Sequence, residues 1–331
     1  MKNFLILLPI LVLISPFLFP SAAFAISCAS TRYWVGGTGT WDATDTTHWS
    51  ETSGGAGGAS VPTGLSNPMI FDASSGGGTV TLGYSPSVTC IVTMGNFTGT
   101  FDAATFSPTF GAFSGTGTGI RTLNMGSGTW ILTNPSGGAG SNPWDITVST
   151  NLTLNAQSST IKMTEGSIIN RTFAGGSQTY NNLWFARGLA SGNNIVSGSN
   201  TFNDFKDTGT AAHNIIFTNG TTQTVSTFTV SGSSGNVITI NSDTTDTHAL
   251  VKTGGGTISS DYLDIQHSVA TPASTWYAGT HSVDNQAVAT AGSGWIFTDV
   301  PVTVATPSRT MRLFEGFKIK LVSGRFIIQQ K

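Results

Sequence analysis

Aromatic and acidic side chains are concentrated in one short stretch near the start of the chain, YWVGGTGTWDATDTTHW at positions 33–49. Tryptophan rings present flat apolar faces on which sugar rings stack, and carboxylates accept hydrogen bonds from sugar hydroxyls. The candidate ligand-binding residues are Trp41, Trp49, His48 and Asp42, with Asp45 beside them. The alternative is a structural cap, in which the rings, Tyr33 and Trp34 included, cover the open first turn of a repeat protein. We favour the cap, because the stretch follows closely on the export signal that residues 1–25 predict.

Acidic side chains in the later, more regular part of the chain are the candidates for acid–base chemistry. Cleavage of a polysaccharide needs a pair of carboxylates, or carboxylates beside a basic group. The candidate catalytic residues are Asp246, Asp261, Asp264 and His267, and further acids in this part are Asp204, Asp207 and Asp243. Isolated acids in turns more often stabilise the turn than catalyse a reaction. A polysaccharide lyase or glycoside hydrolase is therefore the alternative and not the preferred interpretation.

The sequence contains no motif typical of a metal site, a nucleotide site or a nucleic-acid interface. The stretch GGTGTWD occurs once and places Asp42 one position later than the calcium-binding GGxGxD repeats do, while Gly37-x-Gly39 is followed by no helical pattern. The five histidines are scattered without ligand spacing. Beyond residue 25 the chain has 13 basic and 16 acidic residues, a balance that disfavours nucleic acid as a partner. We expect no metal and no cofactor.

The first 25 residues predict a cleaved export signal. Lys2 precedes an apolar run from Phe4 to Pro20, and Ala23-Phe24-Ala25 supplies the small-x-small pattern at which a signal peptidase cuts. No later stretch is apolar for long enough to cross a bilayer. We therefore expect a protein secreted or displayed at the cell surface. In that oxidising compartment Cys28 and Cys90 are predicted to form a disulfide, with two buried free thiols as the alternative.

The composition is typical of a β protein rich in turns. Glycine contributes 41 residues and charged residues only 9%, yet 38% of the chain is hydrophobic, which separates it from disordered sequences. No helical periodicity follows Ala25, and short apolar–polar alternations between turns predict strands. The predicted strands are Thr79 to Leu82, Thr129 to Leu132, Asn151 to Leu154, Asn182 to Phe185, Thr227 to Val230, Val237 to Ile240 and Tyr262 to Ile265.

A repeat connects these strands. The stretch that begins at Phe202 aligns with the stretch that begins at Phe228, which places Asn214 and Asn236 22 residues apart at equivalent positions. Asn182–Phe185 and Asp261–Ile265 resemble further copies of the first strand. A period of this length suits one coil of a parallel β-helix, in which inward side chains stack into apolar ladders and turn asparagines stack likewise.

Three blocks carry a resemblance to known proteins: YWVGGTGTWD with THWS and GGAGGASVPT, then IFDASSGGGTV, and finally DYLDIQHSVATPASTWYAGTHSVDNQ with GSGWIF. They resemble segments of secreted bacterial and phage-associated proteins with a right-handed parallel β-helix, related in shape to pectate lyases and to tail-spike or adhesin shafts. The resemblance covers most of Arg32 to Phe297. It implies the fold and an extracellular location, and it implies no catalytic residue.

The C-terminal tail differs in composition from everything before it. From Arg309 to Lys331 the tail contains six basic residues and a single acidic residue, Glu315. A turn at Ser323-Gly324 would pair Val322 with Arg325 in a β-hairpin, with Leu321 opposite Phe326, Lys320 opposite Ile327 and Ile319 opposite Ile328. Such a hairpin would either cover the last coil or bind an anionic envelope polymer or a second copy of the chain.

The sequence thus predicts an all-β protein, a right-handed single-stranded parallel β-helix. Its expected parts are a signal peptide at 1–25, an aromatic N-terminal cap region at 26–75, a parallel β-helix at 76–300 and a basic hairpin tail at 301–331. The preferred function is a surface-exposed structural or adhesive module that contacts glycans and is able to form homo-oligomers. The predicted partner is an extracellular or cell-surface polysaccharide.

Overall fold

The computed structural model describes residues 28, 30–64, 68–133, 142–166, 168–188, 192–286, 292–302, 317–323 and 325–330. The predicted signal peptide lies outside the described residues. The chain divides into two compact units, one that ends at Asp299 and one formed by Val300–Lys331. Among the described residues, no helix is long and apolar enough to cross a membrane.

The described residues form short strands and a single 3-10 turn, Ala73–Ser75. The first ten strands are β1 (Arg32–Trp34), β2 (Gly39–Trp41), β3 (Trp49–Ser50), β4 (Met69–Ile70), β5 (Thr79–Leu82), β6 (Ser87–Thr93), β7 (Thr100–Asp102), β8 (Thr109–Ser114), β9 (Arg121–Asn124) and β10 (Thr129–Leu132). The next ten are β11 (Trp144–Asp145), β12 (Leu152–Asn155), β13 (Thr160–Met163), β14 (Arg171–Ala174), β15 (Asn182–Phe185), β16 (Asn194–Ser197), β17 (Thr201–Asp207), β18 (His213–Phe217), β19 (Thr222–Thr229) and β20 (Ile238–Ser242). The last nine are β21 (His248–Lys252), β22 (Ile258–Ser259), β23 (Leu263–Ile265), β24 (Ser268–Thr271), β25 (Trp276–Tyr277), β26 (Val283–Asp284), β27 (Trp295–Ile296), β28 (Phe317–Val322) and β29 (Arg325–Gln330).

Parallel pairing between successive coils builds the first unit. Strands β13, β15, β17 and β19 form one stack, and β14, β16, β18, β20, β23 and β26 form a second. Strands β2, β5, β7, β9 and β12 form a third in the earlier coils. The result is a parallel β-solenoid of about nine turns, so the predicted all-β class and parallel β-helix are confirmed.

Alternation of side chains fixes which face of each strand points inward. In β15, Leu183 and Phe185 are buried while Asn182 and Trp184 are partly exposed, as a period of two requires. Inward aromatic rings touch from the first strand to the last of this unit, with centroids 5.2–6.3 Å apart. The rings in this continuous series are Trp34, Phe71, Phe101, Trp130, Trp144, Phe173, Phe202, Phe205, Phe228, Trp276 and Trp295. They form the axis of the hydrophobic core.

The predicted alignment of the repeat is wrong in register, although the coil itself is present. Asn214 pairs with Thr239, and Phe205 rather than Phe202 pairs with Phe228. Asp264 likewise pairs with Thr239, so the stretch around it continues the second stack and not the first. At Asn214 the cause is a variable turn. A tight turn with an antiparallel bridge between Ser233 and Asn236 lengthens this coil, and sequence similarity alone does not reveal where the extra residues lie.

Both ends carry features that the sequence predicted. Cys28 and Cys90 form a disulfide across a separation of 62 residues, which ties the start of the described chain to β6. In the second unit, β28 and β29 pair antiparallel with Val322 opposite Arg325 and Ile319 opposite Ile328, the predicted register. Whether this hairpin covers a coil or binds a partner stays a prediction.

Candidate functional site

Trp41 and Trp49 lie inside the first coils of the solenoid. Their ring centroids are 5.1 Å apart in an edge-to-face contact. Trp41 also stacks on Phe110 at 6.1 Å, and Trp49 meets Trp34 edge-on at 5.3 Å. Both side chains are 0% exposed. A sugar ring therefore finds no open indole face on either residue, and both rings belong to the hydrophobic core.

His48 supports the same aromatic cluster. Its ring stacks on Trp34 with the centroids 4.7 Å apart and the planes 4° from parallel, and its Nδ1 donates a hydrogen bond to the carbonyl of Val35 at 2.9 Å. Gly39 makes this close packing possible, because a Cβ atom there would collide with the His48 ring. His48, a predicted ligand residue, thus packs against Trp34 in β1 and against Gly39 in β2.

Asp42 and Asp45 each close a turn. Asp42 Oδ1 accepts hydrogen bonds from the backbone N–H of Thr44 at 2.6 Å and of Asp45 at 2.7 Å, and these bonds lower the pKa of Asp42. Asp45 Oδ1 accepts from the hydroxyl and the N–H of Thr47, which lower the pKa of Asp45. Both carboxylates therefore serve the local backbone, as short acidic side chains in turns often do.

The candidate catalytic residues fall into separate hydrogen-bonded groups. Asp246 is exposed in the turn between β20 and β21. Asp264, on β23, accepts from the amides of Gln266 at 2.9 Å and Asn285 at 2.8 Å. His267 shares a 2.9 Å hydrogen bond between its Nδ1 and Asn241 Oδ1. Within the described ranges, no cluster of three or more His, Cys, Asp or Glu side chains could hold a metal ion.

Asp261 forms the most exposed acid–base pair of the candidates. Its Oδ2 lies 2.8 Å from Nδ1 of His281, a ring that the sequence analysis did not single out. The backbone N–H groups of Tyr262 and His281 donate to the other carboxylate oxygen. Partial burial alone would raise the pKa of Asp261, but these hydrogen bonds outweigh it and lower the pKa. The His281 ring stacks on Tyr262 at 4.5 Å, which fixes its orientation.

Asp207 belongs to a buried polar network at a corner of the solenoid. Its Oδ2 lies 3.0 Å from His213 Nε2 and accepts from Asn194 Nδ2 at 3.0 Å. Asn194 Oδ1 accepts from Arg187 at 2.9 Å, and Arg187 pairs with Glu165 at 3.5 Å. The network links three successive coils through hydrogen-bonded charges, so its role is to satisfy polar groups at the corner.

A column of outward side chains on the first stack provides the most distinctive surface. The register places Ile131, Lys162, Trp184, Lys206 and Thr229 one above the other on successive strands. The ammonium nitrogens of Lys162 and Lys206 lie 3.9 and 4.5 Å from the centroid of the Trp184 ring. Trp184 Nε1 donates to Thr208 Oγ1 at 2.7 Å. We call Lys162, Trp184 and Lys206 the lysine–tryptophan column.

The lysine–tryptophan column differs from the other tryptophans, lysines and arginines of the first unit in its exposure and its polar contacts. Every tryptophan except Trp184 is buried. The other described lysines and arginines of the first unit contact oxygen atoms: Arg32, Arg171 and Arg187 contact carboxylates, and Arg121 and Lys252 contact backbone carbonyls. In the described part of the chain, Lys162 and Lys206 have neither an ion pair nor a hydrogen bond from their ammonium groups. Lys162 and Lys206 thus meet at the one partly exposed indole of this unit.

Sequence reasoning did not find this column, because its three residues lie on different coils. The predicted strand from Asn182 to Phe185 contains Trp184, and none of the predicted site residues is Lys162 or Lys206. The signal that could have found them is the 22-residue spacing from Lys162 to Trp184 and again from Trp184 to Lys206, combined with outward positions on matching strands.

No protein-family model matches this chain, and no significant match is found among curated proteins or among solved structures. The fold implied by the resemblance agrees with the solenoid, whereas a relation to pectate lyases, tail spikes or adhesins stays a prediction.

Proposed function

We propose that the protein is an exported, surface-exposed structural or adhesive module whose solenoid contacts glycans through an outward face. The observation that carries this proposal is the lysine–tryptophan column, because its two ammonium groups have no oxygen partner among the described residues and lie beside a partly exposed indole. Glycan sites combine such rings with hydrogen-bonding side chains.

The surroundings of the column support the proposal. Beside it runs a second outward row of Thr160, Asn182, Asp204 and Thr227, again one residue per coil. These hydroxyl, amide and carboxylate groups are the kinds of partner that sugar hydroxyls use. A row that repeats at each coil suits an extended, repeating ligand better than a compact one, since coils of a solenoid present the same positions at regular intervals.

The test is retention of the exported chain on a glycan array, followed by incubation of the retained glycans with the protein. We expect binding without new reducing or unsaturated ends. Trp184→Ala should weaken retention, and Tyr277→Ala, at another partly exposed aromatic residue, is the matched control. Absence of retention on every glycan would contradict the proposal.

The rival function is a polysaccharide lyase or glycoside hydrolase on the same solenoid. The exposed pair of Asp261 and His281 is the observation that favours it, since a histidine oriented by a carboxylate is a common general base. Turnover that is lost in Asp261→Asn or Asp264→Ala would establish this rival and displace the adhesive module.

A further inference from the structure

We infer that the lysine–tryptophan column is a binding site for an anionic glycan, a polysaccharide with carboxylate or sulfate groups along its chain. This inference rests on the proposed function and names its ligand class. The column is outward-facing, it is formed by three coils, and its two ammonium groups are unneutralised in the described structure.

The geometry favours an ionic contact over ring stacking. Lys162 and Lys206 reach the Trp184 ring from the coils on either side of it. A sugar ring would have to displace an ammonium group to stack on the indole, whereas an anion can bind the ammonium groups where they are. The indole also holds each lysine in place through a cation–π contact, so less side-chain entropy is lost when an anion binds.

The spacing favours a polymer over a small anion. Lys162 and Lys206 lie two coils apart, and strands in a sheet are about 4.8 Å apart, so their backbones are separated by about 10 Å along the axis. A single carboxylate carries one negative charge, whereas the column carries two positive charges. A chain that repeats its charge meets both, and the second contact is then intramolecular.

The column continues toward a cleft on the next coil. Thr229 follows Lys206 in register, and with Thr227 and Lys252 it lines a cleft of about 280 Å³. An acid beside the column is Asp204, whose Oδ1 accepts hydrogen bonds from the hydroxyls of Thr227 at 2.6 Å and Thr229 at 3.1 Å. Its negative charge lies two residues from Lys206 and opposes an anionic ligand.

The test compares binding of the exported chain to alginate and to alginate whose carboxyl groups have been reduced, at low and at moderate salt. We expect binding to alginate that weakens with salt and at least about tenfold weaker binding to the reduced polymer. The double variant Lys162→Gln/Lys206→Gln should lose about tenfold in affinity for alginate. Lys162→Arg/Lys206→Arg should retain it, and Asp204→Asn should strengthen it.

The control is Ser234→Glu/Thr245→Glu, which makes the same change in net charge at two exposed turn residues outside the column and outside the basic hairpin. Thermal melting shows that each variant is folded before affinities are compared. An equal loss in both double variants, or equally tight lysine-dependent binding to double-stranded DNA, would overturn the inference by showing a general polyanion effect. Equal binding to the reduced polymer would overturn the inference and leave the proposed glycan function intact, and failure to bind any glycan would overturn both.

Discussion

Tryptophan, a residue that often suggests a ligand site, mainly serves the interior of this protein, as do the histidines His213 and His248. Trp41 and Trp49 are 0% exposed, and His248 is 1% exposed. Burial of an indole ring stabilises a core strongly, but burial of an imidazole without hydrogen-bonding partners costs free energy. Exposure, and not residue type, therefore separates the structural rings from Trp184.

Replacement of Trp41 and Trp49 together by alanine should destabilise the protein. Each change removes a fully buried ring, and large-to-small changes of this kind cost about 3 kcal/mol or more each. The measurement is the free energy of unfolding from urea denaturation. Trp184→Ala, at the partly exposed ring, should cost much less. A double variant that unfolds like the parent and loses only glycan binding would show that the rings are not a cap.

His248 should make the protein sensitive to acid. Burial, together with the charge of His267, lowers the pKa of His248 to about 3 in the folded state, and neither ring nitrogen has a hydrogen-bonding partner in the described protein. Because the unfolded pKa is about 6.5, this residue contributes stability above that pH and the contribution is lost as pH falls toward 3. His248→Phe, which keeps a ring against Phe217, should therefore gain stability relative to the parent as pH falls from 7 to 4.

His213 provides the control of opposite sign for these unfolding measurements. Burial alone would lower the pKa of His213, but its hydrogen bond with Asp207 outweighs burial and raises the pKa. Its contribution is present below pH about 6.5 and is lost as pH rises through the folded pKa. His213→Gln should thus cost most stability at low pH. Parallel pH curves for the His248 and His213 variants would contradict both assignments.

At the scale of strands, local sequence predicted much of the fold. The alternation at Thr79 to Leu82, Thr129 to Leu132 and Asn182 to Phe185 gives the exact bounds of β5, β10 and β15. Strand register is harder, because it depends on turn lengths that vary from coil to coil, and the three-residue error at Asn214 came from one such turn. The three residues of the lysine–tryptophan column become neighbours only because of the strand register between coils. Residue patterns along the chain therefore did not predict the column.

The hairpin of β28 and β29 leads to a prediction about the tail. A chain that ends at Pro307 should still be exported and keep its β circular dichroism spectrum, but should be less bound to cells or less oligomeric. The reason is the concentration of basic residues in this unit, which favours contact with anionic partners. Cell fractionation and mass measurement in solution check it. Aggregation of the shortened chain would show instead that the hairpin is a cap, and unchanged cell binding with unchanged mass would contradict both roles.

At the scale of the molecule, the residues that stabilise the core are distinct from the outward residues that we propose to bind a partner. The inward rings from Trp34 to Trp295 form one continuous core along the coils, while outward positions repeat at each coil without being needed for packing. Surface rows can therefore change while the core is kept. Homo-oligomer formation stays a prediction, and the solution mass of the full chain would decide it.

The disulfide gives the solenoid a mechanical asymmetry. Under tension on its two ends, a solenoid yields coil by coil, since each coil is bonded only to its neighbours. A coil such as the one from Thr160 to Asn182, 22 residues, releases about 75 Å of chain. The bond between Cys28 and Cys90 withholds 62 residues, about 210 Å, from extension. In a force spectrometer the oxidised protein would lengthen from its C-terminal coils and stop short, with the first coils still closed as a loop that only a reductant releases.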